Sequence, residues 1–423
     1  METEWTILTE IAQDDTGRFV EVPFTVPDGI AQIRIRIAVV PNEGGPCTID
    51  VGLRDPVRVR GWSGSAKYDL VVGPDEATPG YAKGDILPGQ WAVLLGVYVV
   101  GRAGANVTAE IRLVQSARQW LKGDLHVHTV HSDGVYTLAE LDRIARGLQL
   151  DFIGLTDHNT ISQNYSYSRE TPVTYIPAME FTTYRGHANL FGIADPCDDF
   201  RVQSADDVAS ILTEAKRRGS RVSINHPFDE GGPSCRWQWG YDHAFDWLEV
   251  WNGPWRASNQ QSLELWHSML RAGRRVTGVG GSDTHREHPY VRHGNPTTHV
   301  YAKSRTVGHI LSAIHEGCVT MSCCPDGPRL ELRAPDATMG GTSRRRSFDI
   351  VLTAAEPGDQ IVLLSEMGEV KRYTVLQSGD FAAQGEHEAK RFLRAELWRY
   401  FPQANGQLMA ALTNPVFMHE AAT

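Results

Sequence analysis

Hydrophobic positions along the chain follow three rhythms in succession. Up to about residue 118, apolar and polar residues alternate. "AQIRIRIAVV" sets Ile33, Ile35 and Ile37 against Arg34 and Arg36, and "VTAEIRLV" repeats the period with Val107, Ala109, Ile111 and Leu113. A period of two marks a strand with one buried face. Glycine- and proline-rich connectors such as "GPDEATPGYAKGDILPG" separate the strands. The stretch predicts a β-sandwich or jelly roll over 1–118.

From about 119 short apolar runs ("DFIGLTD", "VTYIPAME", "RVSINHP", "DWLEVWN", "RRVTGVGGSD") alternate with helical patterns. In "TLAELDRIARGL" Leu138, Leu141, Ile144, Ala145 and Leu148 make one helical face, and Thr137 with Glu140 forms a capping box. "SNQQSLELWHSMLRAG" pairs Ser258 with Gln261 in the same way and stops at Gly273. Strands alternating with helices predict a mainly parallel sheet, open or closed, over 119–325. After about 326 the helices fade and alternation returns. "FDIVLTA" places Phe348, Ile350, Leu352 and Ala354 on one face, and a second, smaller β-sandwich is expected over 326–423.

The bulk numbers change this picture little. A length of 423 residues suits two or three domains, and 41% hydrophobic with 22% charged residues is ordinary for a globular protein. A net charge of −10 argues against a nucleic-acid partner, and the one basic run, Arg344–Arg346, reads as a solvated loop. The acidic start "METEWTILTEIAQDD" lacks the basic and apolar parts of a signal peptide, and no window is apolar enough to span a bilayer. The six cysteines, Cys323 and Cys324 adjacent among them, show no CxxC spacing and read as reduced thiols. A cytoplasmic protein without membrane or nucleic-acid partners is the expectation.

Histidine is distributed unevenly: fourteen of sixteen lie between His126 and His315. Ligand-type residues recur where predicted strands end. They are His126 and His128 with Asp133 in the following turn, Asp157 and His158, Glu180, His226, and Asp283 with His285. Any one of these reads as a polar strand end. Five strand ends agreeing is another matter, because in a closed or nearly closed α/β barrel the C-terminal strand ends converge on one mouth. His126 and His128 share a strand face and can chelate one ion. Mixed imidazole and carboxylate donors suit Zn²⁺, Mn²⁺ or Fe²⁺. The eight of these other than Asp157 exceed the needs of one ion, so two or three ions with a bridging carboxylate are expected. His243, His267, His309 and His315 lie on loops or helices and are given no metal role. Neither Ser132 nor Ser282 sits in a GxSxG elbow, no phosphate loop is present, and the glycines of "GVGGSD" are read as giving the site close backbone access.

In their order, "DLHVHTVHSDG", "LTDHNT", Glu180, "NHP" and "GSDTH" resemble the PHP (polymerase and histidinol phosphatase) superfamily over about residues 120–325. The flanking β-domains, "DWLEVWNG" and "ALTNP" resemble its carbaryl-hydrolase-like CehA/McbA branch. The resemblance implies a distorted seven-stranded β/α (TIM-like) barrel with a two- or three-metal centre. It implies His126, His128, Glu180 and Asp283 on one ion. Asp133, His158, Glu180 and His226 would hold the second, with His285 facing a third ion or the substrate. Three-metal members use a further histidine where this chain reads "HANLFGIADPCDD", which favours two ions. His131 is not required by the pattern, and Asp124 is expected to support the loop.

The expected activity is hydrolysis of a small molecule by a bridging hydroxide, with Asp283 taking a proton and His285 or His187 giving one to the leaving group. A phosphoester substrate is the first expectation, with Asn252, Arg286 and Arg292 as substrate contacts. Carbamate or ester hydrolysis, with Trp251 and Trp255 as an aromatic wall, is the alternative. A metal-stabilised binding module is the third. Homo-oligomerisation through the β-domains is left open.

Overall fold

The N-terminal alternation becomes eight strands: β1 (Thr3–Ile11), β2 (Phe19–Val26), β3 (Ile30–Pro41), β4 (Cys47–Arg54), β5 (Val59–Gly64), β6 (Asp69–Val72), β7 (Gly89–Val100) and β8 (Ala105–Gln115). They pair antiparallel in two four-stranded sheets, ordered β1-β8-β3-β6 and β2-β7-β4-β5. Ile33, Ile35 and Ile111 from one sheet and Val51, Trp91 and Val93 from the other share one core. Arg34 and Arg36 remain exposed between the buried isoleucines. Each aliphatic side chain so buried contributes about 1.5–3 kcal/mol, enough to fix which face of a strand turns inward.

The computed structural model describes residues 3–232 and 234–419. The chain divides into two compact units, Met1–Arg118 and Gln119–Thr423. Among the described residues no helix is long and apolar enough to cross a membrane.

The second unit begins with β9 (Gln119–Val127), α1 (Leu138–Gly147), β10 (Phe152–Leu155), β11 (Thr174–Thr183), β12 (Gly186–Phe191) and α2 (Ala205–Arg218). It continues with β13 (Arg221–Ile224), β14 (Trp247–Asn252), α3 (Ala257–Arg271), β15 (Thr277–Gly281), β16 (Thr297–Ala302), α4 (Val307–His315) and β17 (Val319–Ser322). The α1 capping box is in place, with Thr137 Oγ1 accepting from Glu140 N–H. At α3 the cap differs from the sequence reading. Arg256 occupies the N-cap position without a side-chain bond, and Ser258 lies inside the first turn. Asn259 anchors the helix instead, donating to the carbonyls of Asn252 and Pro254.

The expected mainly parallel, TIM-like barrel gives way to a mixed sheet. β9, β10 and β11 run parallel, as do β13, β14 and β15, but β12 is antiparallel to both neighbours and β16 to both of its own. The reason is local. No helix separates β11 from β12, only the turn at Tyr184 and Arg185, and a connection that short can only make a hairpin. Just past the ends of β9 and β15 the backbones meet again: Asp283 N–H donates to His126 O and His128 N–H to Thr284 O. Close approach here requires glycine. A Cβ on Gly281 would lie 2.3 Å from the His126 Cβ, and one on Gly134 would lie 2.5 Å from the His128 carbonyl.

Beyond residue 326 come β18 (Arg329–Ala334), β19 (Ala337–Thr338), β20 (Thr342–Ser343), β21 (Ser347–Ala355), β22 (Gln360–Ser365), β23 (Gly368–Thr374), β24 (Gly379–Glu386), β25 (Phe392–Phe401), β26 (Gly406–Thr413) and β27 (Val416–Met418). β19-β18-β21-β24 form one sheet, while β26, β25, β22 and β23 extend the central sheet through β17. The pairs Thr320↔Thr413 and Met321↔Leu412 carry hydrogen bonding across the boundary expected near 326. The two layers enclose Leu332, Phe348, Ile350, Leu363 and Leu397.

Candidate metal centre

The site grows from the end of β9. Alternation along the strand turns His126 and His128 to one side, both fully buried, with ring centroids 5.2 Å apart. The loop that follows is folded by Asp157, whose carboxylate accepts from Thr129 N–H, the Thr129 hydroxyl and the Ser132 hydroxyl at 2.7–2.8 Å. That loop presents Asp133. Asp124, also buried, accepts backbone N–H bonds from His126, Ser282 and Gly294, tying β9 to the segments after β15.

Glu180 lies on β11, fully buried, and is surrounded by imidazole nitrogens. His126 Nε2 is 3.3 Å from its carboxylate, His128 Nε2 3.4 Å, His158 Nδ1 2.8 Å, His187 Nδ1 3.3 Å and His226 Nε2 3.4 Å. Asp283 approaches from the β15 side, with Oδ1 3.1 Å from His128 Nε2 and 3.5 Å from both His126 Nε2 and His285 Nδ1. Asp133 Oδ1 stands 3.6 Å from His158 Nε2 and 3.4 Å from His285 Nε2.

Four sets of donor atoms lie close enough to share an ion: His128, Asp133, His158 and His285; His126, His226 and Asp283; His126, His128 and Glu180; and His158, Glu180 and His187. His126, His128 and Glu180 stand together as the resemblance implies, but the other sets differ. His226 stands with His126 and Asp283, while Asp133 and His158 stand with His285 and His128. Two of the donors are held on unusual backbone, His226 at φ 24° and Asp283 at φ 55°. A non-glycine residue in that region costs of order 1–3 kcal/mol, a strain typical of sites where side-chain placement outweighs backbone preference.

Electrostatics couples these groups. Burial works against charge on His126, but Asp283, Glu249 and Glu180 carry its imidazole well above the ordinary value. His226, likewise opposed by burial and favoured by Glu180, Asp283 and Glu249, is pushed up to about 9. His158 is raised by Glu180 and Asp133 against the effect of burial. His128, dominated by burial, is pushed down to about 4. Burial would raise the carboxyls of Glu180 and Asp283, yet the surrounding imidazoles hold both well below the usual range. The donors fit a divalent cation. His126 Nε2, both nitrogens of His128 and Glu180 Oε2 are buried without a hydrogen-bond partner among the described residues. A buried polar atom left so costs about 1–3 kcal/mol, and imidazole with carboxylate is the donor mixture of Zn²⁺, Mn²⁺ and Fe²⁺ sites.

Other residues named from the sequence are placed around this centre. Asn252 is buried, and its amide donates to Glu249 Oε2 at 3.2 Å and Asp283 Oδ2 at 3.3 Å. Arg286 is exposed and reaches the Asp133 carbonyl at 3.3 Å. Arg292 lines a separate groove. His131 bonds Ser162 at 2.7 Å. His243, His267, His309 and His315 are engaged with Trp239, Arg394, Ser304 and Asp246 respectively. Trp251 is buried in the core with its indole N–H on the Gly253 carbonyl.

Three contributors escaped the sequence reading. Asn225 donates to Glu180 Oε1 at 2.8 Å. Arg256 bonds Asn252 Oδ1 and Asp229 Oδ2, both at 3.0 Å. Glu249, buried on β14, holds His126 Nδ1 at 2.9 Å and accepts His226 N–H at 2.9 Å. It thereby fixes the His126 proton on Nδ1 and leaves Nε2 free to face Glu180 and Asp283. Glu249→Gln is expected to weaken metal binding about 10–100-fold, as measured by competition with a chromogenic chelator. Unchanged affinity would remove Glu249 from this role.

The chain matches no protein-family model and no curated protein. Among solved structures it is similar to a two-domain protein from Bacteroides vulgatus ATCC 8482 containing a predicted PHP-like metal-dependent phosphoesterase. The identity is 17% and the TM-score 0.41, over 70% of this chain and 95% of that one. A putative metal-dependent phosphoesterase from Bifidobacterium adolescentis ATCC 15703 is 17% identical with TM-score 0.33, over 45% of this chain and 95% of that one. An amidohydrolase from Chromobacterium violaceum, with bound sulfate and no metal, is 16% identical with TM-score 0.29, over 40% and 89%. At these scores the likeness carries no weight for the site, which stands on its own side chains.

Proposed function

We propose that the protein is a metal-dependent hydrolase acting on phosphoesters. The observation that carries this reading is the Glu180 carboxylate set within 2.8–3.4 Å of five imidazoles, with Asp283 and Asp133 on its flanks. In this reading His126, His226 and Asp283 would hold one divalent ion and Asp133, His128 and His158 a second, with the Glu180 carboxylate shared between the two sets. When bound, such a pair polarises a phosphoryl oxygen and makes water acidic enough to attack near neutral pH. The strand run β9 to β15 would then serve as a distorted barrel whose mouth carries the site.

The chain's own groups supply the rest. Asp283 keeps a carboxylate at the surface of the cluster, steadied by Asn252, and is placed to take a proton from the attacking water. His285 has its Nδ1 committed to the Asp283 carbonyl at 2.9 Å, which leaves Nε2 to act at the substrate. His187, buried beside Glu180, is the second candidate donor to the leaving group. Arg286 and Arg256 flank this region and offer guanidinium N–H groups to equatorial phosphoryl oxygens. The carbamate or ester reading lacks its aryl wall, because Trp251 is buried and Trp255 packs edge-on against Trp251 and Trp398.

A substrate panel with metal analysis tests the proposal. Turnover of 4-nitrophenyl phosphate or bis(4-nitrophenyl) phosphate is expected, abolished by chelation and restored by Mn²⁺, Zn²⁺ or Fe²⁺. Turnover of naphthyl acetate or naphthyl N-methylcarbamate alone would replace the phosphoesterase reading with the ester one. Bound metal without turnover of any substrate would favour a binding module.

A further inference from the structure

Beside the metal centre lies a groove of about 1060 Å³ between α1 and the loop 284–295. Its walls are apolar: Ile144 from α1, Leu148 just past its end, and Pro289 and Val291 from the loop. His293 lines it, only 6% exposed, and neither ring nitrogen has a hydrogen-bond partner among the described residues. The loop is built rather than slack. His288 Nδ1 accepts from the N–H groups of Tyr290 and Val291, and Gly294, next to His293, donates its N–H to the buried Asp124. Tyr136 sets its ring edge-to-face on His293 at 5.1 Å. Arg292 and Glu287 stand on the exposed rim, and Cys324 completes the lining.

We propose that this groove is a binding site for a small aromatic monoacid carrying a hydroxyl group, distinct from the metal-binding side chains. Each part of the ligand answers a feature of the groove. The aliphatic walls take a ring, Arg292 takes the acid group, and His293 takes the hydroxyl. Burial pushes the His293 imidazole down to about 4, so at neutral pH it is uncharged and offers one donor and one acceptor. Leaving both unpaired is costly, and a ligand hydroxyl satisfies one of them. Glu287 on the same rim disfavours a second negative charge, which selects a monoacid over a phosphate or a diacid. The site rests on no part of the hydrolase reading.

Cys324 reports occupancy without any measurement of turnover. Its thiol is pushed down by the hydrogen bond with the Cys323 sulfur 3.9 Å away, which favours its alkylation by iodoacetamide. In the full-length protein, salicylate is expected to slow iodoacetamide labelling of Cys324 saturably, as followed by peptide mass spectrometry, and to leave Cys47 unaffected. Salicylamide, uncharged, is expected to need about tenfold more for the same protection. Arg292→Glu, an exposed change, should raise the half-protecting salicylate concentration about tenfold, and Leu148→Arg should abolish protection. Absence of saturable protection, equal protection by the amide, or protection unchanged in Arg292→Glu would each overturn the proposal. Because Arg292→Glu leaves the core untouched, the test survives even if Leu148→Arg misfolds.

Discussion

Glu180→Gln is expected to empty the centre. The substitution preserves shape and removes one charge, and that charge faces five imidazole nitrogens at 2.8–3.4 Å. Two consequences follow. Metal content of the purified protein should fall at both proposed positions, because both ions lean on the same carboxylate. The loss of one partner from a buried charged network costs about 3–5 kcal/mol, roughly two to three and a half powers of ten in affinity. His158 and His226, whose raised values depend on Glu180, should also move down towards ordinary imidazole titration. Inductively coupled plasma analysis gives the first result and NMR titration of the imidazoles the second. Full metal content in a folded Glu180→Gln variant would end the bridging assignment. Asn225 supplies a check on the geometry, because its amide already donates to Glu180 Oε1 at 2.8 Å. A glutamine presenting NH₂ at that position would meet a donor with a donor, so the variant must rotate its amide or lose the bond.

The legible part of this site was the part written in strand periodicity. Apolar runs ending in histidine or carboxylate mark the end of β9 and the residues just beyond β10, β13 and β15, while Glu180 lies inside β11, which runs on to Thr183; the structure brings these side chains within reach of one another. The alternation of Ile33, Ile35 and Ile37 likewise needed only local sterics to become a buried face. What was illegible depended on contacts distant in sequence. Glu249 sits 123 residues from its partner His126. Its neighbours Trp247, Leu248, Val250 and Trp251 are all buried, and a carboxylate inside such a run was the available signal. A buried charge with apolar neighbours on both sides must have a partner, so "DWLEVWN" already carried the question that Glu249 answers. The parallel sheet expected from alternating strands and helices failed at β12, where the short link from β11 dictates a hairpin, and again at β16, which runs antiparallel to β9 and β17. The grouping of donor atoms differs in part from the implied sets for a similar reason. The resemblance orders residues along the chain, but which donors stand within reach of one another depends on how His226 and Asp133 are placed in space.

Metal affinity is expected to rise with pH between about 6 and 9 and to be accompanied by proton release. An ion binds neutral imidazole, yet in the protein stripped of metal His126 and His158 titrate above the ordinary value and His226 near 9. At pH 7 these rings hold protons that an incoming ion must displace, and that competition weakens as pH approaches the raised values. His128, near 4, is already neutral and adds nothing to the dependence. Glu180 and Asp283, held low, are ionised throughout the range. The sign reverses for the stripped protein's own stability. Groups whose folded values are raised stabilise the fold fully below the unfolded imidazole value of about 6.5, and that contribution is lost as pH rises through about 9. The stripped protein should therefore melt lower at pH 9 than at pH 6.5. The loaded protein, its imidazoles held neutral by the ions, should lose less over the same range. Ligand linkage sets the gap between the two: about 4 kcal/mol when free metal stands at a thousand times its dissociation constant. Titration calorimetry in two buffers of different ionisation enthalpy reads the protons released at pH 7, and scanning calorimetry with and without chelator reads the melting shift. Metal uptake that releases no protons, or an affinity flat from pH 6 to 9, would mean that the imidazoles clustered around Glu180 are not the groups that hold the ion.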